Sequence, residues 1–123
     1  MSNYMTAAEI AKEIRAALKS ELFECKFSVT CNSFSGGREI SVSLMAAPFQ
    51  PMVDGKTYAQ INHYCVKDDP SLTAEARKVL GRANEIGNQR NWDRSDHQTD
   101  YSDVNFYFNL NVGKWDRPFV QSV

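Results

Sequence analysis

Residues 104–112 read Val104-Asn105-Phe106-Tyr107-Phe108-Asn109-Leu110-Asn111-Val112. In an extended chain Val104, Phe106, Phe108, Leu110 and Val112 point one way, and Asn105, Tyr107, Asn109 and Asn111 the other. Such alternation marks a strand with one face in the core. It predicts a strand over residues 103–112, ended by Gly113. The second face is unusual, because asparagine is a poor strand former. A sheet built around this strand has an apolar side to be covered and an amide-rich side left over.

The preceding chain supplies the rest of that sheet. Residues 24–32 alternate, with Cys25, Phe27, Val29 and Cys31 against Lys26, Ser28 and Thr30. Residues 38–45 repeat this, with Ile40, Val42 and Leu44 against Ser41 and Ser43. Asn32-Ser33-Phe34-Ser35-Gly36-Gly37 between them reads as a hairpin turn, since paired glycines permit positive φ. Residues 57–66 predict a third strand, with Ala59, Ile61, His63 and Cys65 on one face and Tyr58, Gln60, Asn62 and Tyr64 on the other.

Two helices complete the pattern. Thr6-Ala7-Ala8-Glu9 is a capping box, followed by Ile10, Ile14, Ala17 and Leu18 at helical spacing to about Ser20. Thr73 caps a second helix over residues 74–87, with Ala76, Val79, Leu80 and Ala83 as its apolar stripe. The polar residues 88–102 predict a loop, and Trp115 to Val120 a short edge segment where Pro118 is tolerated. The order α-β-β-β-α-β predicts an α+β fold: one domain over residues 1–123, a four-stranded antiparallel sheet, both helices on one face. The open face would then carry serine, threonine, asparagine, glutamine and tyrosine. That chemistry suits a partner protein, a second copy of the chain, or a planar polar ligand.

Composition narrows the function classes. The 123 residues carry 14 basic and 15 acidic side chains, a formal charge of −1. This balance gives no global attraction for nucleic acid or anionic lipid, and argues against DNA. No apolar run approaches the length of a membrane span. The start of the sequence lacks the basic and apolar regions of a secretory signal. Cys25, Cys31 and Cys65 are an odd count without a CxxC pair, which reads as reduced thiols in a cytosolic compartment. Cys25 and Cys31 are expected to be buried and inert.

No catalytic constellation stands out. Asp93, Asp96, Asp100 and Asp103 with His97 form the densest polar stretch, but neither EF-hand nor zinc-site spacing is present. Neither a metal nor a cofactor is expected, and the chain reads as a binder and not as an enzyme. Ser35-Gly36-Gly37-Arg38 can present backbone N–H groups and a guanidinium to phosphate, although it is not a P-loop. Trp92, Trp115, Arg94, Lys114 and Arg117 flank the last strand, and aromatic stacking with arginine is a nucleotide-gripping chemistry. The competing reading has both tryptophans plugging the ends of the sheet.

The blocks Phe27-Ser28-Val29, Ser33-Phe34-Ser35-Gly36-Gly37, Tyr58-Ala59-Gln60-Ile61-Asn62, Asn91-Trp92-Asp93-Arg94-Ser95-Asp96, Thr99 to Tyr107 and Gly113 to Phe119 resemble the large polyvalent protein-associated domain family, number twenty-nine. The resemblance runs from Thr6 to Phe119, and Asn91 to Phe119 is its most specific part. It implies a module of phages, plasmids and other mobile elements, acting in the host bacterial cytoplasm. By analogy it suggests anti-defence. One version sequesters a nucleotide-derived immune signal, as anti-Thoeris sponges do. The alternatives are an anti-CRISPR-like inhibitor docking on a host defence protein, and an accessory domain in DNA transfer.

The expected site lies near the last strand of a homo-oligomer. Trp92 or Trp115 would stack on a base, and Arg38, Arg94, Lys114 or Arg117 would meet phosphate. Asn91, Asp100, Asp103 and Asn105 would read ribose hydroxyls and base edges.

Overall fold

The computed structural model describes residues 6–34, 37–62, 64–89, 91 and 106–122. Its elements are α1 (Ala7–Glu21), β1 (Lys26–Phe34), β2 (Gly37–Ala47), β3 (Ala59–Ile61), α2 (Ala74–Gly87), β4 (Tyr107–Val112) and β5 (Val120–Gln121).

Local chemistry sets the helix starts as the sequence implies. The Glu9 N–H donates to Thr6 Oγ1 at 3.1 Å, and the Thr6 N–H donates to Glu9 Oε1 at 3.2 Å. Both arms of the capping box are therefore closed. At α2, the Ala76 N–H donates to Thr73 Oγ1 at 3.3 Å. The Thr73 hydroxyl donates in turn to the Gln50 carbonyl at 2.8 Å, tying the helix start to the preceding loop.

The fold is α+β, but the sheet is mixed and has five strands in place of four antiparallel ones. Its order is β1-β2-β4-β3, with β5 on β2. β1 and β2 form the expected antiparallel hairpin, from Lys26 opposite Ala46 to Phe34 opposite Gly37. β4 runs parallel to β2, with Ile40 opposite Phe108 and Leu44 opposite Val112. β3 closes the far side antiparallel to β4. The reason for the difference is the connection. The chain from β2 to β4 includes β3 and α2, which is enough for a crossover that returns the strand in the same direction. β4 thus enters between its predecessors and has neighbours on both edges.

β3 is shorter than residues 57–66. The Tyr64 N–H donates to Asn62 Oδ1 at 3.0 Å, and the Cys65 N–H donates to the Asn62 carbonyl at 3.0 Å. Asn62 thus closes a turn on itself and ends the strand. A 3-10 turn over Val66–Asp68 follows. Tyr64 leaves the sheet and is 87% exposed, and Cys65 is exposed as well. His63 lies outside the described residues.

α1 packs on β1 and β2, and α2 on β2 and β4. Ile10, Ile14 and Leu18 of α1 and Leu80 and Ile86 of α2 join Val29, Ile40, Val42, Leu44, Phe108, Leu110 and Val112 in one buried cluster. These strand residues share one parity, so both helices cover one face, as expected. At the edge strand, Arg15 Nη2 donates to the Val29 carbonyl at 2.9 Å, which blunts that edge. Cys25 is half-buried but Cys31 is exposed, correcting the expectation that both are buried.

An exposed ionic network joins the helices. Arg82 grips Glu21 with Nε to Oε2 at 2.6 Å and Nη2 to Oε1 at 2.8 Å, and donates from Nη1 to Glu85 at 3.2 Å. Lys67 Nζ lies 3.3 Å from Glu85. The hydrogen bond from Arg82 holds the Glu21 carboxyl below its ordinary value of 4.5. Lys67 first, and then Arg82, do the same for Glu85.

Gly113 is where β4 turns toward β5. Its φ is +65, and a Cβ there would fall 2.1 Å from the Thr57 carbonyl oxygen and 2.8 Å from the Phe119 nitrogen. Those two atoms are themselves bonded, the Phe119 N–H donating to the Thr57 carbonyl at 2.9 Å.

Gly113→Ala therefore combines a left-handed backbone with a backbone clash. It is expected to cost roughly 2–4 kcal/mol in a urea-unfolding measurement. Arg82→Ala is expected to lower stability at about pH 7. Glu21 and Glu85 have lowered folded-state values, so their contribution is present above 4.5 and fades as pH falls through those values. Unfolding curves of the variant and parent should then converge as pH falls below the ordinary carboxylate range. Thiol labelling should modify Cys31 and Cys65 quickly. Cys25 should lag, because burial, aided by the Glu24 carboxylate, pushes its thiol up.

Candidate functional site

Covering one face of the sheet leaves the other open. Side chains of the opposite parity stand there: Ser28 and Thr30 from β1, Glu39, Ser41 and Ser43 from β2, Tyr107, Asn109 and Asn111 from β4, and Gln60 from β3. The division of residues between faces is the one the alternation predicts. It places Asn109 beside Ser41 and Asn111 between Ser43 and Gln60.

Most of these residues, Ser28 and Tyr107 apart, line an open concavity of about 490 Å3. Thr30, Glu39, Ser41, Ser43, Gln60, Asn109 and Asn111 line it, with Tyr58, Lys114, Trp115 and Asp116 at its margin. Asn109 Nδ2 donates to Ser41 Oγ at 3.2 Å and to Glu39 Oε2 at 3.4 Å, so this amide is oriented across β4 and β2. Ser43 is buried at the bottom.

Trp115 stands at the tip of a tight turn. The Lys114 N–H donates to the Arg117 carbonyl at 2.8 Å, and the Arg117 N–H donates to the Lys114 carbonyl at 3.1 Å. Trp115 and Asp116 are the two residues between them, and Trp115 is 84% exposed. It does not plug the end of the sheet. An indole carried on a rigid turn beside an amide floor is placed to stack on a flat ligand.

At the other end of the face the Phe34 and Tyr107 rings stack with centroids 6.1 Å apart and planes inclined by 19°. They meet over Gly37, where a Cβ would come within 3.3 Å of the Tyr107 ring. Aromatic rings laid over a strand glycine are a known way of protecting that gap in a sheet.

The expected site residues separate. Lys114 and Trp115 line the concavity together. Arg38 shares the parity of Ile40 and Val42, is only 9% exposed, and faces the helix side. Arg117 projects into a different groove, beside β1 and β5. Asn91 sits after α2, where its Oδ1 accepts from the Phe106 N–H at 3.2 Å and its Nδ2 donates to Asn88 Oδ1 at 3.0 Å. Its amide thus joins the end of α2 to the start of β4. Trp92, Arg94, Asp100, Asp103 and Asn105 lie outside the described residues, as do Asp93, Asp96 and His97.

Sequence reasoning did not choose Thr30, Glu39, Ser41, Ser43, Tyr58, Gln60, Asn109 or Asn111 as ligand residues. The signal was present, because most belong to the polar strand faces already set aside for a partner. Glu39 shares the parity of Ser41 and Ser43 within residues 38–45, and the parallel register then sets it opposite Tyr107.

One cation, Lys114, and two carboxylates, Glu39 and Asp116, line the concavity among the described residues. Its lining is rich in hydrogen-bonding groups and carries little positive charge. No described helix is long and apolar enough to cross a membrane.

Comparison with known proteins supplies the family. No curated protein and no solved structure matches the chain significantly. A model of large polyvalent protein associated domain 29 matches residues 5–105, which takes in both helices and the first three strands and ends just before β4. Since that match spans most of the sequence, the chain belongs to the large polyvalent protein associated domain 29 family, a group of phage- and mobile-element-associated modules.

Proposed function

We propose that this protein is a non-catalytic binding module of a phage or other mobile element. Its open sheet face takes a planar ligand rich in hydrogen-bonding groups, and the candidate is a nucleotide-derived immune signal held by sequestration. The observation that supports this reading is the exposed Trp115 beside a floor of oriented amides and hydroxyls. Such groups read the edges of a heterocycle through paired donors and acceptors, and hold it without moving protons at neutral pH. Indole stacking supplies affinity that any base can use. Host anti-defence activity rests on the family context and on this chemistry together.

A second reading has a host defence protein docking on the same face. The exposed Phe34–Tyr107 stack supports it, because that pair stands beyond the residues lining the concavity. Solvent-facing aromatics are enriched at protein interfaces.

Titration calorimetry with adenosine and with cyclic and ADP-ribose-derived nucleotides separates the two. The sponge reading expects a saturable heat from at least one of them. Trp115→Ala should weaken it roughly 5- to 100-fold while leaving the far-UV spectrum unchanged. Absence of heat with all of them would sink the reading and favour a protein partner.

A further inference from the structure

A second groove, of about 530 Å3, adjoins the amide face, and its lining carries three cations and, among the described residues, no carboxylate. Arg15 reaches it from α1, Lys26 from the start of β1, and Arg117 from the tight turn after β4. Phe27, Val29 and Pro118 give it an apolar wall. All three cations are exposed, so their joint pull on an anion is one that salt screens.

One of these cations is held through its side chain, and the backbone that carries the other two is set by pairing and by a turn. The Val29 carbonyl takes one N–H of Arg15 at 2.9 Å, which ties the guanidinium to the edge of β1. Lys26 stands at a β-bulge: Lys26 pairs with Ala46 and Phe27 with Leu44, so Met45 is the extra residue. Bulges bend a strand and re-aim the side chains beside them. Arg117 is held by both backbone hydrogen bonds of its turn.

The two grooves adjoin along β1 and β2, the second reaching from the open face, where Ser28 and Met45 stand, round the sheet edge to the side of α1, where Arg15 and Val29 stand. Ser28 lines the second and Thr30 the first, two residues apart on β1, and Met45 and Ser43 stand in the same relation on β2. The turn divides them, giving Trp115 to one side and Arg117 to the other.

We propose that the groove of Arg15, Lys26 and Arg117 is an anion site for the phosphate-bearing part of a ligand. The planar part of that ligand would lie on the amide face, and this last point alone rests on the function proposed above. The arrangement also accounts for a mismatch. The amide concavity has one cation against two carboxylates, and the three cations of the second groove adjoin it.

The test uses inorganic pyrophosphate, which has no planar moiety, with the full chain at low salt. Saturable binding that weakens as salt rises is expected. The double variant Lys26→Gln/Arg117→Gln should lose roughly tenfold or more in affinity. The conservative pair Lys26→Arg/Arg117→Lys should retain binding, which reports that the groove still folds. Trp115→Ala should bind pyrophosphate as the parent does. Absence of saturable binding, or equal binding by the glutamine double variant, would overturn the anion site. Dependence on Trp115 tests the amide face separately: if no compound of the nucleotide set named above loses affinity in Trp115→Ala, beside a normal pyrophosphate result, the planar-ligand reading falls and the anion site stands. ADP should bind roughly tenfold tighter than adenosine in the parent and lose that advantage in the glutamine double variant.

Discussion

The fold depends on β2 having both backbone edges occupied. β1 takes one edge along its whole length, while β4 and then β5 take the other. Buried N–H and C=O groups must find partners, and a central strand finds them only if its neighbours arrive in register. β4 meets this demand after a crossover through α2, and Gly113 lets the chain turn away from β4 so that Val120 and Gln121 can continue beside Ala46 and Ala47. The parallel β2–β4 pair and the antiparallel hairpin are thus consequences of one filled strand.

Filling β2 also fixes the two faces. Every neighbour in register keeps its apolar side chains on the side of α1 and α2 and its polar ones on the other, because side-chain direction alternates with period two. The helices have enough apolar surface for one face only. The other is left with amides, hydroxyls and four exposed aromatic rings, Phe34, Tyr58, Tyr107 and Trp115. An open face of this kind is common in antiparallel sheets, but its parallel pairing is what brings Asn109 beside Ser41 and Glu39.

Charge is distributed unevenly around the open face and its β1 edge. Lys114 stands with Glu39 and Asp116 in the amide concavity, whereas Arg15, Lys26 and Arg117 gather in its neighbour, so a near-neutral chain carries a locally basic groove. Net charge therefore says little about what this protein attracts locally. The Lys114–Arg117 turn is the hinge point of this separation, since consecutive residues face different grooves.

The sequence by itself determined the helix starts, the hairpin, the two-faced strands and the family. These follow from local chemistry: the Thr6–Glu9 box, the Thr73 cap and the period-two alternation each act within a few residues. Family membership was legible because runs of residues, not isolated motifs, carry it. Tertiary structure decided the rest. Strand direction at β4 depends on how a connection passes over the sheet, which no local pattern records. The end of β3 depends on Asn62 turning its own side chain onto the backbone, against a β-like alternation that continued to Val66. Arg38, Lys114, Trp115 and Arg117 looked equivalent as flanking cations and aromatics. Strand parity and one tight turn sent Arg38 to the helix side, Lys114 and Trp115 to the amide face, and Arg117 to the basic groove, because a one-residue step reverses the direction of a side chain.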